Sequence, residues 1–470
     1  METGVTTRPR RPRSWLEHVG LIADRGREIL NLSTPGRARA NPKDLSRRLL
    51  AQRGEASGLA LASELVGRLS SMSLDELDAY LETLAVHFSP DPEEVARAVD
   101  RWRAAAGDID SLLALAAAVE PPRQELFRRL NMAPGGTAAI LRLRARLLEL
   151  LPERPHLRAV DADLRHLLHS WFNRGFLRLE GIDWRSPAAL LERLIPCESV
   201  HQIDSWESLR RRLEPDRRCF AFFHPALPDE PLIFVEVALT RGLTTAIAPL
   251  LDPRQPPTEP ARATTAIFYS INSCQPGLRG ISFGNFLIKQ VVDELSAEFP
   301  SLTTFATLSP LPRFAETLRH DSPQGFTGAR LRALLGDQAT VLCRRAGTSD
   351  LLAAVEWALP RSDLGRATAR ALQRLVLAYL TEVRVGNRVL DPVAHFHLSN
   401  GARLERIDLG ADRSSKGLRE SHGVMVNYVY DLDRLELNHE RYVGSGVVAT
   451  SRSLASERAK VQASWRAAAG

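Results

Sequence analysis

The stretch Thr264 to Phe299, TTAIFYSINSCQPGLRGISFGNFLIKQVVDELSAEF, constrains the fold of this chain more than any other. Ala266 to Ile271, AIFYSI, is apolar and aromatic with no breaker inside it, and reads as a buried strand. Ile288, Val292, Leu295 and Phe299 recur at i, i+4, i+7 and i+11, so they share one face of a helix. Between strand and helix lies a glycine-bearing loop, Gln275-Pro-Gly277-Leu-Arg279-Gly280-Ile281-Ser282-Phe283-Gly284-Asn285. Glycine lets backbone approach a ligand closely, and a helix N-terminus offers unpaired N–H groups and the positive end of a dipole. That combination suits a pyrophosphate. A further strand, Leu302 to Leu308, follows at once, so the order strand, loop, helix, strand predicts a βαβ unit inside an α/β core.

Before this unit the chain reads differently. Residues 15 to about 178 carry helical periodicity throughout. Ser73-Leu-Asp-Glu76 is a capping box, with Leu74, Leu77, Leu81, Leu84 and Phe88 as the apolar face behind it. Asp91-Pro92-Glu93-Glu94 opens the next helix with a cap, a proline at the first position and acids in the first turn. Ser111–Val119 and Thr137–Leu151 continue the pattern. His166 and His169 lie one helical turn apart among Leu167, Leu168 and Trp171, and read as core or surface histidines rather than metal ligands. This half is expected to serve packing or assembly. Near Gly175 the periodicity changes: Phe176–Ile182 can be extended, and Cys219–His224 and Leu232–Thr240 form a hairpin across 226–231. His224, in FFHP, reads as a buried turn histidine. Residues 315 to 388 are helical again and look like an insertion. β character then returns at 394–408 and at 423–430, which puts His395 and His397 on the same side of a strand. The tail from Ser451 reads as helix.

A chain of 470 residues exceeds one ordinary core. The division expected is a helical domain over 1–178, with 1–14 as a disordered basic arm, and an α/β domain over 179–470. The arm has arginines at 8, 10, 11 and 13 but no apolar segment, which excludes a secretory signal and leaves a mitochondrial presequence as the other reading. No run approaches the ~18 apolar residues of a membrane span. Four cysteines without a C-x-x-C pair point to neither a zinc site nor a disulfide framework, and to a reducing, cytoplasmic setting. The net charge of +6 has no nucleic-acid motif behind it.

Arg279 to Gly284 resembles the Q/R-x-x-G-x-G/A loop with which the GNAT superfamily of N-acetyltransferases holds coenzyme A, with Ser282 where that loop has its first glycine. FFHP at 222–225, FATLSPLPRF at 305–314, DPVAHFHLSNGARLERI at 391–407 and GVMVNYVYDL at 423–432 stand with it in order. Together these blocks resemble the malonyl-CoA decarboxylase family from about Phe176 to Tyr430. The resemblance implies an α+β protein, with an all-helical N-terminal domain followed by an acetyltransferase-type α/β domain. It implies a carboxy-lyase that converts malonyl-CoA to acetyl-CoA and carbon dioxide without metal or organic cofactor. The family's catalytic serine and histidine land on Ser309 and His397, and its coenzyme A loop on Arg279, Gly280, Ile281, Ser282, Phe283, Gly284 and Asn285. Tyr430 and Asn400 are accessory candidates, and His395 is read as structural.

The chemistry suits these residue types. Loss of carbon dioxide from a malonyl thioester leaves an enolate, for which the thioester carbonyl is the electron sink. A protein must then steady the oxyanion and protonate the carbon, work that histidine and serine can do. No membrane or nucleic-acid partner is expected, and the helical half is expected to build a homo-oligomer, a dimer or tetramer. Two other functions fit parts of the sequence: a GNAT-type acyltransferase using the same loop, and a non-catalytic acyl-CoA-binding assembly protein built on the helical half.

Overall fold

The computed structural model describes residues 15–30, 41–281, 286–320, 325–361 and 363–468. The basic arm and Ser282, Phe283, Gly284 and Asn285 lie outside them. The chain divides into two compact units: one of residues 1–177 with Phe223–Pro231 and Gln275–Ser282, the other of Arg178–Phe222, Leu232–Cys274 and Phe283–Gly470. Among the described residues, no helix is long and apolar enough to cross a membrane.

The first unit is helical where the periodicity predicts it. Leu74–His87 begins with the capping box: Ser73 Oγ accepts the Glu76 N–H and the Glu76 carboxylate accepts the Ser73 N–H. Leu77, Leu81, Leu84 and Phe88 are buried, whereas Leu74, on the first turn, stays exposed. Asp91 caps Pro92–Ala104. His166 and His169 are exposed on Arg158–Trp171. The Ile109–Val119 helix buries none of its residues, although Ile109, Leu112, Leu113 and Val119 are apolar.

The second unit is built on strands β1 (Arg178–Ile182), β2 (Arg217–Phe223), β3 (Ile233–Thr240), β4 (Thr265–Ser273), β5 (Thr304–Thr307), β6 (Ser309–Pro310), β7 (Arg384–Val385), β8 (Arg388–Val389), β9 (Arg403–Asp408) and β10 (Met425–Val429). The main sheet runs β1-β2-β3-β4-β5-β10-β6, with β9 on β10, and β7 pairs β8 alone. β2 and β3 form the expected hairpin. β4 and β5 are parallel and joined by the Phe286–Glu298 helix, so the βαβ unit is present.

That parallel ladder is short. It ends at Phe268↔Thr307, while β3 stays beside β4 as far as Ser273 and β6 stays with β10. The sheet therefore opens between β4 and β6. Ile267, Tyr269, Ala306, Leu308, Met425 and Val429 belong to one core cluster. Strand alternation then puts Phe268, Thr307, Ser309, Tyr428 and Tyr430 on the opposite face.

Helices Phe314–Arg319, Gly328–Leu335, Gln338–Ala346, Leu351–Ala358 and Arg366–Thr381 fill the expected insertion, which closes in the β7–β8 hairpin rather than in helix. The expected strand through His395 and His397 is a helix, Pro392–Ser399. Asp391 caps it through the Val393 and Ala394 N–H groups, and Pro392 occupies its first turn. It ends at Gly401, whose φ is +81° and where a Cβ would lie 2.1 Å from the Leu435 carbonyl oxygen. The two histidines consequently diverge: His395 meets the Tyr442 hydroxyl at 2.9 Å, while His397 turns inward.

Candidate active site

Ser309 enters the site from β6, placed by its pairing with Val426 of β10. His397 enters from the Pro392–Ser399 helix. The two side chains are buried and meet at 2.9 Å between Oγ and Nε2. On the far side of the ring, Nδ1 lies 2.8 Å from the Tyr430 hydroxyl. Tyr428 stacks on the imidazole, with ring centroids 4.8 Å apart and planes inclined by 27°.

This geometry fixes where the protons are. Burial pushes the His397 imidazole down to about 3, so it is neutral across the physiological range and carries one N–H. Ser309 donates its single hydroxyl hydrogen to Thr307 Oγ1 at 2.9 Å. Ser309 can therefore only accept from the histidine, which places the ring hydrogen on Nε2. Nδ1 then accepts from the Tyr430 hydroxyl, whose own ionisation burial pushes well up. Thr307 also accepts the Tyr428 N–H at 3.2 Å, so its oxygen is held in place by the strand beside it. The result is a relay from Tyr430 through His397 and Ser309 to Thr307.

One buried carboxylate ties the segments that carry Ser309 and His397 together. Asp391 Oδ1 caps the histidine helix, while Oδ2 accepts the Tyr379 hydroxyl at 2.9 Å and the Arg313 N–H at 3.5 Å. Arg313 follows directly on the Ser-Pro-Leu-Pro run that begins at Ser309. Burial raises the Asp391 carboxyl above the usual carboxylate range, against the pull of these donors.

Of the sequence candidates, the structure brings Ser309, His397 and Tyr430 together. Asn400 does other work: its Nδ2 donates to the Phe396 carbonyl at 2.6 Å and finishes the helix. His224 is a turn residue, accepting the Ala226 N–H at 3.1 Å with Phe172 against its ring at 4.8 Å. Arg279, Gly280 and Ile281 lie in a tight turn after Pro276–Leu278, with Gly280 at φ +79°. Thr307, Tyr428, Asp391 and Tyr379 were not found from the sequence. Alternation would have found the first two, since Thr307 and Tyr428 each stand two positions before a candidate.

A neutral imidazole buried against a serine and a tyrosine, at the opening of a mixed sheet, is equipment for proton transfer in a desolvated site. The chain belongs to the malonyl-CoA decarboxylase family. Residues 175–468 match that family's C-terminal domain and residues 88–172 its N-terminal domain. The mitochondrial malonyl-CoA decarboxylase of Mus musculus is 37% identical over 361 residues, covering 73% of each chain. That of Anser anser anser is 36% identical over 354 residues, covering 72% of this chain and 69% of the relative. The crystal structure of malonyl-CoA decarboxylase from Rhodopseudomonas palustris is 45% identical and superposes with a TM-score of 0.79, covering 90% of this chain and all of that one. The enzyme from Agrobacterium vitis, also 45% identical, gives 0.75 with 89% and 100% covered.

Proposed function

We propose that this chain is a carboxy-lyase that decarboxylates malonyl-CoA to acetyl-CoA and carbon dioxide. The observation that carries the reading is the Tyr430–His397–Ser309 relay, present intact in a member of this family. In the reaction the bond between the carboxylate and the α-carbon breaks, and its electron pair moves into the thioester carbonyl to form an enolate. Carbon dioxide leaves, and one proton is added to the α-carbon. The thioester carbonyl takes the electrons, so no separate cofactor enters the scheme. Ser309 and His397 are assigned as the catalytic pair, with Tyr430 holding the ring and the proton reaching carbon from Nε2 directly or through Ser309. An incoming malonyl carboxylate adds negative charge beside a desolvated imidazole and raises its proton affinity, so the ring takes up a second proton from solvent on binding and returns to neutral when one proton passes to the α-carbon. Release of carbon dioxide from malonyl-CoA by the purified chain, with no acyl acceptor present, tests the assignment. An acyltransferase or a non-catalytic acyl-CoA-binding protein releases none.

Arg279 to Asn285 is assigned as the coenzyme A loop. Gly280 has a positive φ, which a β-branched residue adopts only under strain. Gly280→Val is expected to weaken malonyl-CoA and free coenzyme A by similar factors, since both are held through the same phosphates. Calorimetric titration with each ligand checks this; a folded variant with wild-type affinity for coenzyme A places the cradle elsewhere.

The helical domain, residues 1–178, is assigned to assembly of a dimer or tetramer, and residues 179–470 to catalysis. The uncovered apolar residues of Ile109–Val119 support the first assignment. Sedimentation equilibrium gives the stoichiometry. A cytoplasmic location is proposed, supported by cysteine usage that suits a reducing compartment, and imaging of a tagged chain tests it.

A further inference from the structure

Arg144 sits on the Gly136–Leu150 helix with 1% of its surface exposed. Its Nε donates to Asp161 Oδ1 at 2.9 Å, on the Arg158–Trp171 helix. Its Nη1 donates to two backbone carbonyls, that of Gly277 at 2.5 Å and that of Arg279 at 3.0 Å. One guanidinium thus joins two helices to two carbonyls of a single turn. Gly277 lies so close to the helix that a Cβ there would stand 2.1 Å from the Leu141 carbonyl oxygen. On the other side of the turn the Gln275 amide donates to Glu230 at 3.1 Å. Gly280, by contrast, faces open space: a Cβ built there meets nothing within 4 Å.

The geometry points to Arg144 as a positioning residue for substrate binding, which shapes the 275–281 turn to receive the phosphates of a coenzyme A thioester. In a trans peptide the C=O and N–H point in opposite directions. Drawing the Arg279 carbonyl onto the guanidinium therefore turns the Gly280 N–H away from Arg144, outward from the helix. Gly277 allows the contact, and Asp161 holds the guanidinium in the orientation that spans both carbonyls. The helical unit then sets the affinity for the thioester. This inference rests on the reading of Arg279 to Asn285 as the coenzyme A loop.

Arg144→Lys keeps a cation beside Asp161 but cannot span two carbonyls with a planar fork. Gly277→Ala leaves Arg144 in place and forces the turn off the helix. In the full-length chain each is expected to raise KM for malonyl-CoA and Kd for coenzyme A by about tenfold or more, as a small displacement of a binding loop does. Turnover at saturation should stay within roughly twofold of wild type, because the lost interaction is the same in ground and transition states. Circular dichroism establishes that each variant is folded, and either one suffices. Unchanged KM and Kd in a folded variant overturn the inference, as does a fall in kcat with KM unchanged. If Gly280→Val weakens coenzyme A while both of these variants bind normally, the loop assignment stands and only the role of Arg144 fails. If Gly280→Val also binds normally, both fall together.

Discussion

His397→Ala is expected to lose roughly 100- to 10,000-fold in turnover, the usual cost of one positioned acid–base group. Coenzyme A binding should be retained, since the hydrogen bonds of the ring are to Ser309 and Tyr430. Turnover within roughly threefold of wild type would remove His397 from the chemistry. The pH profile adds a second check. Burial holds the free-enzyme imidazole near 3, so kcat/KM should show no inflection near the ordinary histidine value of about 6.5. An inflection there that vanishes with His397→Ala would mean that the ring is charged before substrate arrives. The stability linkage has a definite sign. Between about 6.5 and 3 the unfolded chain binds a proton at this position that the folded chain does not. Its effect is absent above that window, and stability falls as the pH drops through it.

Ser309→Ala separates two proton routes. If the proton passes through the hydroxyl, the loss should match that of His397→Ala; if Nε2 delivers it directly, the loss should be clearly smaller. In either case the two residues share one hydrogen bond, so the double variant should lose less than the product of the single losses. Steady-state turnover of the three variants, measured at saturation, decides it. Fully multiplicative losses would show that serine and histidine act independently.

The sequence carried the architecture well because local signals and tertiary structure agree over most of it. Ser73 and Asp91 cap where their side chains predict, and the βαβ unit follows from an apolar strand, a glycine loop and a periodic helix. It misled at His395 and His397, where an alternating H-x-H pattern in a short apolar run reads equally well as strand or helix. The deciding signal was Asp391-Pro392, the same cap-and-proline pair that opens the helix at Asp91-Pro92. The roles of Thr307 and Asp391 were not legible for a different reason. Alternation places Thr307 on the right face, but its bond with Tyr428, 121 positions away, and those of Asp391 with Tyr379 and Arg313, 12 and 78 positions away, are pairings that no local pattern encodes.

Asp391 has a consequence for how the site comes into being. Ser309 and His397 are separated by a five-helix insertion, and the last of those helices supplies the Tyr379 hydroxyl that Asp391 accepts. Closing so long a loop costs entropy before any contact across it gives a return. A folded insertion, with Tyr379 docked on Asp391, shortens the effective loop and lowers the cost of bringing the histidine helix to the serine strand. During refolding, secondary structure should be recovered ahead of activity, and the reactive pair should be the last part of this domain to assemble.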